Sequence, residues 1–124
     1  MKIKVVAPIF GFENIGEVEL FEIDDFFTKI EHGDISFTLI DPSKLRTYSF
    51  EIPLYYKELL KIDARDDIKV YNLITVFSDI EKSTVNFAAP IIVNEKEGLL
   101  VQVALDEVKY KEFGLSESIS EYLG

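Results

Sequence analysis

The 124-residue chain contains no cysteine, which excludes a disulfide framework, a thiolate nucleophile and a cysteine-held metal. It has one histidine, His32, so a multi-histidine metal site is excluded and a Ser-His-Asp triad would have to use that residue. His32 stands between Glu31 and Gly33 in a turn-forming stretch, without the pocket that a general base needs. No asparagine begins an Asn-x-Ser/Thr acceptor site. No apolar run nears the roughly 20 residues that a membrane-spanning helix requires. The basic start, MKIKVVAPIF, meets Pro8 and then Glu13 before the apolar core of a signal peptide is built, so it reads as a first strand. Low-complexity tracts, Ser/Gly/Pro-rich linkers and long runs of like charge are also missing. These absences lead us to expect one ordered domain over residues 1–124 with no membrane association, metal or cofactor, and a cytoplasmic home, although the lack of cysteine permits a periplasmic one; a monomer is expected.

Positive charge is scarce as well. Thirteen Lys and Arg face 23 Asp and Glu, for a net charge of −10, and the bases are scattered. Direct nucleic-acid binding is disfavoured, because neutralising phosphates takes clustered cations. An acidic surface suits a basic partner by steering its encounter, or it serves only to keep a small domain soluble. Both readings stand on charge alone.

What the chain does have is apolar material, 48% of its residues, including ten Phe and six Tyr, arranged mostly with a period of two. Ile35, Phe37 and Leu39 alternate with polar residues, as do Tyr48, Phe50 and Ile52, and Leu99, Val101, Val103 and Leu105 form a third alternation. Residues 68–77 are apolar on both alternations, as in a central strand covered on both faces. The His32-Gly33-Asp34 loop joins residues 26–31 to 35–40 as a hairpin, and residues 94–98 make a second reversal. Asp41-Pro42-Ser43 stops a strand. Two short helices are expected. One spans about residues 54–62, with Pro53 as first helical residue and Tyr55, Leu59 and Ile62 on its apolar face. The other spans residues 116–123, with a Ser118 to Glu121 capping-box spacing. Seven or eight short strands with regular turns and one or two short helices predict an all-β fold, a small antiparallel β-barrel-like single domain.

Chemistry is thin. Acidic clusters stand at Asp24 and Asp25, at Asp63, Asp66 and Asp67, and at Asp106 and Glu107; the second lacks the alternate spacing, glycine and terminal glutamate of a calcium loop and reads as a solvated turn. Gly11 and Gly16 are turn glycines, with no Lys-Ser/Thr pair or helix to receive a phosphate. A pair of carboxylates for hydrolysis is defined only by its separation in space.

The remaining feature is the block STVNFAAPIIVN, residues 83–94. Val85, Phe87, Ala89, Ile91 and Val93 form an apolar alternation that packs the core, while Asn86, Pro90 and Asn94 fall on the other. Pro90 cannot donate in a ladder, so the strand has there either an unpaired edge, which with small Ala88 and Ala89 beside it would admit a partner segment, or a bulge.

Followed by LLVQVAL, this block resembles the C-terminal signature of the FliW family of flagellar assembly factors, through Thr84, Asn86, Ala89, Pro90, Asn94, Gln102 and Leu105. APIFGFE at residues 7–13, FTLIDP at 37–42 and YSFEI at 48–52 are similar to further elements of that family, so the likeness spans nearly the whole chain. It departs where Ile9 and Phe10 widen the opening element and where residues 21–37 are short. The resemblance implies a compact barrel-like fold without catalysis. It also implies binding of the translational regulator CsrA, relief of its repression of flagellin messenger RNA, and competition by flagellin for the same protein. Inhibition away from the RNA-contacting surface, by repulsion of phosphate or altered geometry, is part of that implication. Contacts are expected near the Pro90 edge and the N-terminal turn, at Phe12, Glu13, Asn86, Pro90 and Asn94. Two alternatives are a flagellin chaperone without control of CsrA, and a barrel hydrolase built on acidic residues.

Overall fold

A computed structural model describes residues 1–63 and 68–122. Nine strands form one sheet: β1 (Lys2–Ala7), β2 (Glu17–Glu22), β3 (Phe27–His32), β4 (Ile35–Ile40), β5 (Ile68–Thr75), β6 (Thr84–Val85), β7 (Ile91–Asn94), β8 (Leu99–Gln102) and β9 (Glu117–Ser118). In the order β4-β3-β2-β1-β8-β7-β5 the sheet returns on itself, because β5 also pairs with β4, and seven strands close a barrel. β6 and β9 extend it beyond β5. The pairing is antiparallel except between β1 and β8, which run parallel and bulge between Val5 and Ala7. The expected all-β barrel is therefore right, with one parallel seam that local periodicity does not encode.

Two tight reversals set the register. In the β3–β4 hairpin His32 pairs with Ile35, which leaves a loop of Gly33 and Asp34, and Gly33 takes φ +58°, the conformation that glycine enters without steric cost. Gly98, φ +67°, does the same before β8.

The core has two layers. Ile3, Val18, Leu20, Ile30, Leu39, Tyr71, Ile91, Val93 and Leu100 come from all seven barrel strands and fill its interior, with Ile9 and Ile15 of the β1–β2 loop closing one end. The outer faces of β5, β7 and β8, through Ile74, Ile92 and Val101, carry a second cluster with Phe87, Leu60, Phe113 and Ile119. That cluster explains why β5 reads as a continuous apolar run and why β7 and β8 are buried throughout: both faces of these strands are covered.

Three expected elements differ. Residues 48–52 keep their alternation, Tyr48, Phe50 and Ile52 packing on the outer cluster, but they join no ladder and run as an extended cover over the sheet. A period of two reports one buried side of an extended chain; pairing depends on a neighbouring strand. The helix α1 (Leu54–Leu59) starts where expected but ends three residues early, and Pro53 is its N-cap instead of its first helical residue. Tyr56, Leu59, Leu60 and Ile62 face the core, and Tyr55 is 63% exposed. The tail is not an α-helix. Glu117 and Ser118 pair with Val85 and Thr84, a 3-10 turn covers Ile119–Glu121, and Ser118 makes no capping bond. An isolated helix of that length is marginal in water, and edge pairing offered its backbone a better partner. The expected turn residues Asp66 and Asp67, and Leu123 of the tail, lie outside the described residues.

Candidate partner interface

The block at residues 83–94 is not one strand. Val85 and Phe87 belong to the outer cluster, yet Ile91 and Val93 of the same alternation belong to the barrel interior. The faces exchange between Phe87 and Ile91, just past Asn86. Its Oδ1 accepts from the N–H groups of Ala88 and Ala89, at 3.0 and 3.1 Å, and bends the chain there. Its own carbonyl accepts from Asn72 Nδ2 at 2.7 Å, and its N–H donates to the Leu73 carbonyl. Asn86 is the hinge of the bend, and its side chain is committed to the backbone.

Beyond the bend the pairing with the β8 side resumes. Leu105 N–H donates to the Ala88 carbonyl at 2.9 Å and Val103 N–H to the Pro90 carbonyl at 3.0 Å, in the register of β7 and β8. Proline returns no donor, so the ladder continues with half of its bonds. Of the two expectations for this point, the distortion holds and the open edge does not: Pro90 is buried between β5 and β8.

The open edge lies across the ladder. β1 accompanies β8 only as far as the pair Ala7 and Val101, because Pro8 breaks β1 and the chain turns inward at Ile9. Residues 103–105 are left with one paired side. Gln102 fastens this corner: Nε2 donates to the Ala89 carbonyl at 3.0 Å, and Oε1 accepts from the Phe10 N–H at 2.8 Å. Phe10, Ala88, Ala104, Leu105, Tyr110 and Leu115 line a cleft of about 640 Å³ beside it. Phe10 is 48% exposed and Leu115 70%.

The far wall of this cleft belongs to a strap, residues 106–122, pinned on Phe87. Phe87 N–H donates to the Gly114 carbonyl, and Gly114 N–H donates to Glu117 Oε2. Arg46 holds the strap from below. Its guanidinium carbon lies 4.9 Å from the ring centroid of Phe113, 5.1 Å from that of Phe87 and 5.7 Å from that of Tyr122. Its Nη1 donates to Tyr122 Oη at 3.1 Å and lies 3.6 Å from Glu117 Oε1. Tyr48 Oη donates to the Phe87 carbonyl, and burial pushes its phenol up to about 12, against weaker lowering by Asn72 and Arg46.

The five expected contact residues separate. Phe12 is 38% exposed and stands edge-on to Phe37 with centroids 4.9 Å apart. Glu13 is exposed, its Oε1 accepting from the Gly11 N–H. These two lie on the N-terminal loop, as expected. Asn86 is half-buried and lines the cleft. Pro90 and Asn94 offer no surface: Pro90 is enclosed, and Asn94 is fully buried with Nδ2 donating to the Leu60 carbonyl at 2.9 Å. Signature residues of a family are read from sequence without regard to burial, and these two hold the barrel. Lining residues that were not foreseen include Phe10, Ala104, Tyr110 and Leu115. Phe10 was visible only as an insertion, and Ala104 only as a small residue in an alternation.

A second cavity, about 600 Å³, gathers Glu22, Asp24, Asp25 and Asp41 beside Phe26 and Phe50. Two of its carboxylates serve as turn acceptors: Asp24 takes the N–H groups of Phe26 and Phe27, and Asp41 takes the N–H and hydroxyl of Ser43. Among the described residues no group of three or more His, Asp or Glu is placed to hold a metal ion, and no helix is long and apolar enough to cross a membrane. His32, exposed at the end of β3, lies with Nδ1 2.8 Å from the Glu17 carbonyl.

A family model described as FliW protein matches residues 1–113. The flagellar assembly factor FliW of Sulfurimonas denitrificans is 42% identical over 126 residues, covering 99% of this chain and 98% of that protein. The flagellar assembly factor FliW of Campylobacter lari is 38% identical over 127 residues, covering 99% and 97%. A crystal structure of a flagellar assembly factor FliW superposes with a TM-score of 0.83 at 24% identity, covering 95% of this chain and 84% of that one.

Proposed function

The chain belongs to the FliW family of flagellar assembly factors, and from that membership we propose that it acts in the cytoplasm as a non-catalytic binding module with CsrA and flagellin as competing partners. The observation that carries the proposal is the extent of the likeness: relatives named flagellar assembly factors are matched over almost their full length. In this role the chain sequesters CsrA and relieves repression of flagellin messenger RNA, and accumulating flagellin draws the chain away. Competition of this kind needs comparable affinity for both ligands, since flagellin shifts the population only by depleting the free protein.

The net charge of −10 supports the reading from another side. An acidic body bound beside an RNA-binding surface opposes the approach of phosphate, so antagonism needs no contact between the chain and RNA. The exposed apolar side chains of Phe10 and Leu115 at the cleft support a protein partner, because apolar surface at a concave site is where partners anchor.

Isothermal titration against CsrA and against flagellin, singly and in competition, tests the proposal. Binding of both, with each displacing the other, is the expected result. Binding of flagellin without CsrA would instead favour the chaperone reading, and binding of neither would end the proposal. The carboxylate cavity keeps a hydrolase formally within reach of experiment, but two of its four acids already support turns.

A further inference from the structure

We propose that the open strand edge at Ala104 is a strand-addition site for an extended partner segment that carries net positive charge and one apolar side chain. The inference rests on the reading of the chain as a binding module and adds where and how a segment docks.

Val103 and Leu105 point their N–H groups at the Pro90 and Ala88 carbonyls. Alternate residues of a strand direct their backbone groups to opposite sides, so the N–H and C=O of Ala104 point away from that ladder. Neither has a hydrogen-bond partner among the described residues, and Ala104 is exposed. β1 follows β8 only to Ala7 and Val101, so the corner left where Pro8 ends β1 has a ladder on one side only.

The occupant follows from what the corner offers. A free donor and acceptor on one residue are satisfied by an extended chain, whose own groups are unpaired; a helix has already spent its own. The cleft beside the edge, walled by Phe10, Leu105 and Leu115, takes an apolar side chain from the incoming strand. The charged lining residues Glu107 and Lys111 offset one another, so the electrostatic preference is set by the chain as a whole, at −10, and favours a basic segment.

The test uses the full chain and a synthetic pentapeptide alternating lysine and valine. Its controls are an analogue N-methylated at the central residue, one with glutamate for lysine, and an amphipathic helical peptide of lysine and leucine. Amide resonances are followed by NMR. The expected result is a shift and slowed exchange of the Ala104 amide, with shifts at Phe10 and Leu115, and affinity lower by about three- to tenfold for the N-methylated analogue. The Ala104→Pro variant should lose the same factor, because at that position proline removes only an outward donor and leaves the inward ladder whole. Equal binding of the N-methylated or glutamate peptides, shifts confined to other residues, preference for the helical peptide, or no binding at millimolar peptide would each overturn the proposal. Because the probe is a peptide, such a failure is distinct from failure to titrate CsrA or flagellin.

Discussion

Asn94 Nδ2 donates to the carbonyl of Leu60 at 2.9 Å, joining the end of β7 to the residue that closes α1. Both residues are completely buried. Replacing Asn94 by Leu leaves a buried carbonyl short of a donor, and a loss of about 1–3 kcal/mol is expected in urea unfolding. Affinity for a partner, measured per folded molecule, should stay within a factor of two of wild type.

Arg46 is the key to the strap. Its side chain is 22% exposed and its ion partner Glu117 21%, so the pair is partly shielded from solvent. Arg46→Met should cost about 1–3 kcal/mol and speed hydrogen exchange in residues 106–122 ahead of the barrel strands. Arg46→Lys should rescue little, because an ammonium cannot stack between Phe113 and Phe87.

Stability should fall at high pH. The Tyr48 phenol is raised by burial from 10.0 to about 12, so above pH 10 the unfolded chain loses its proton while the folded chain keeps it. The contribution is complete below pH 10 and is lost as pH rises to about 12. Tyr71 and Tyr122 are raised as well, each first by burial, and act in the same direction above pH 10. Denaturant melts from pH 8 to 12, with Tyr48→Phe flattening the upper part of the decline, check the assignment.

Phe10→Ser should separate binding from folding. The side chain is half-exposed and its backbone N–H, held by Gln102, is untouched, so stability should change by less than about 1 kcal/mol. Affinity for whichever of CsrA or flagellin titrates the wild type should fall at least fivefold by calorimetry, in keeping with loss of an aromatic anchor at a cleft.

If antagonism of CsrA works through the acidic field, RNA affinity of CsrA with this chain bound should approach that of CsrA alone as salt is raised. Exposed charges are screened beyond about 8 Å at physiological ionic strength and closer in at higher salt. Filter binding over a salt series shows this directly, and inhibition independent of salt would point to altered geometry.

Much of the architecture is written in local pattern. Alternation marks β4 and β8, Gly33 and Gly98 mark the reversals, and the doubly apolar run of β5 marks a strand covered on both faces. The acidic balance and the missing cysteine are likewise properties of composition, and the ordered set of motifs from Ala7 to Leu105 carries the family. Other features depend on what each segment meets in space. Residues 48–52 found no strand beside them and became a cover; residues 117–118 found β6 and became a strand. Asn86 Oδ1 turns its segment through the N–H groups of Ala88 and Ala89, and between Phe87 and Ile91 the faces exchange, with Pro90 and Asn94 buried beyond the turn. Sequence determined that this chain makes a small acidic β-barrel of the FliW family, because side-chain period and turn chemistry act over a few residues. Tertiary structure alone decided where that barrel is open, because an edge is the absence of a neighbour, and neighbours are chosen by the closure of the whole sheet.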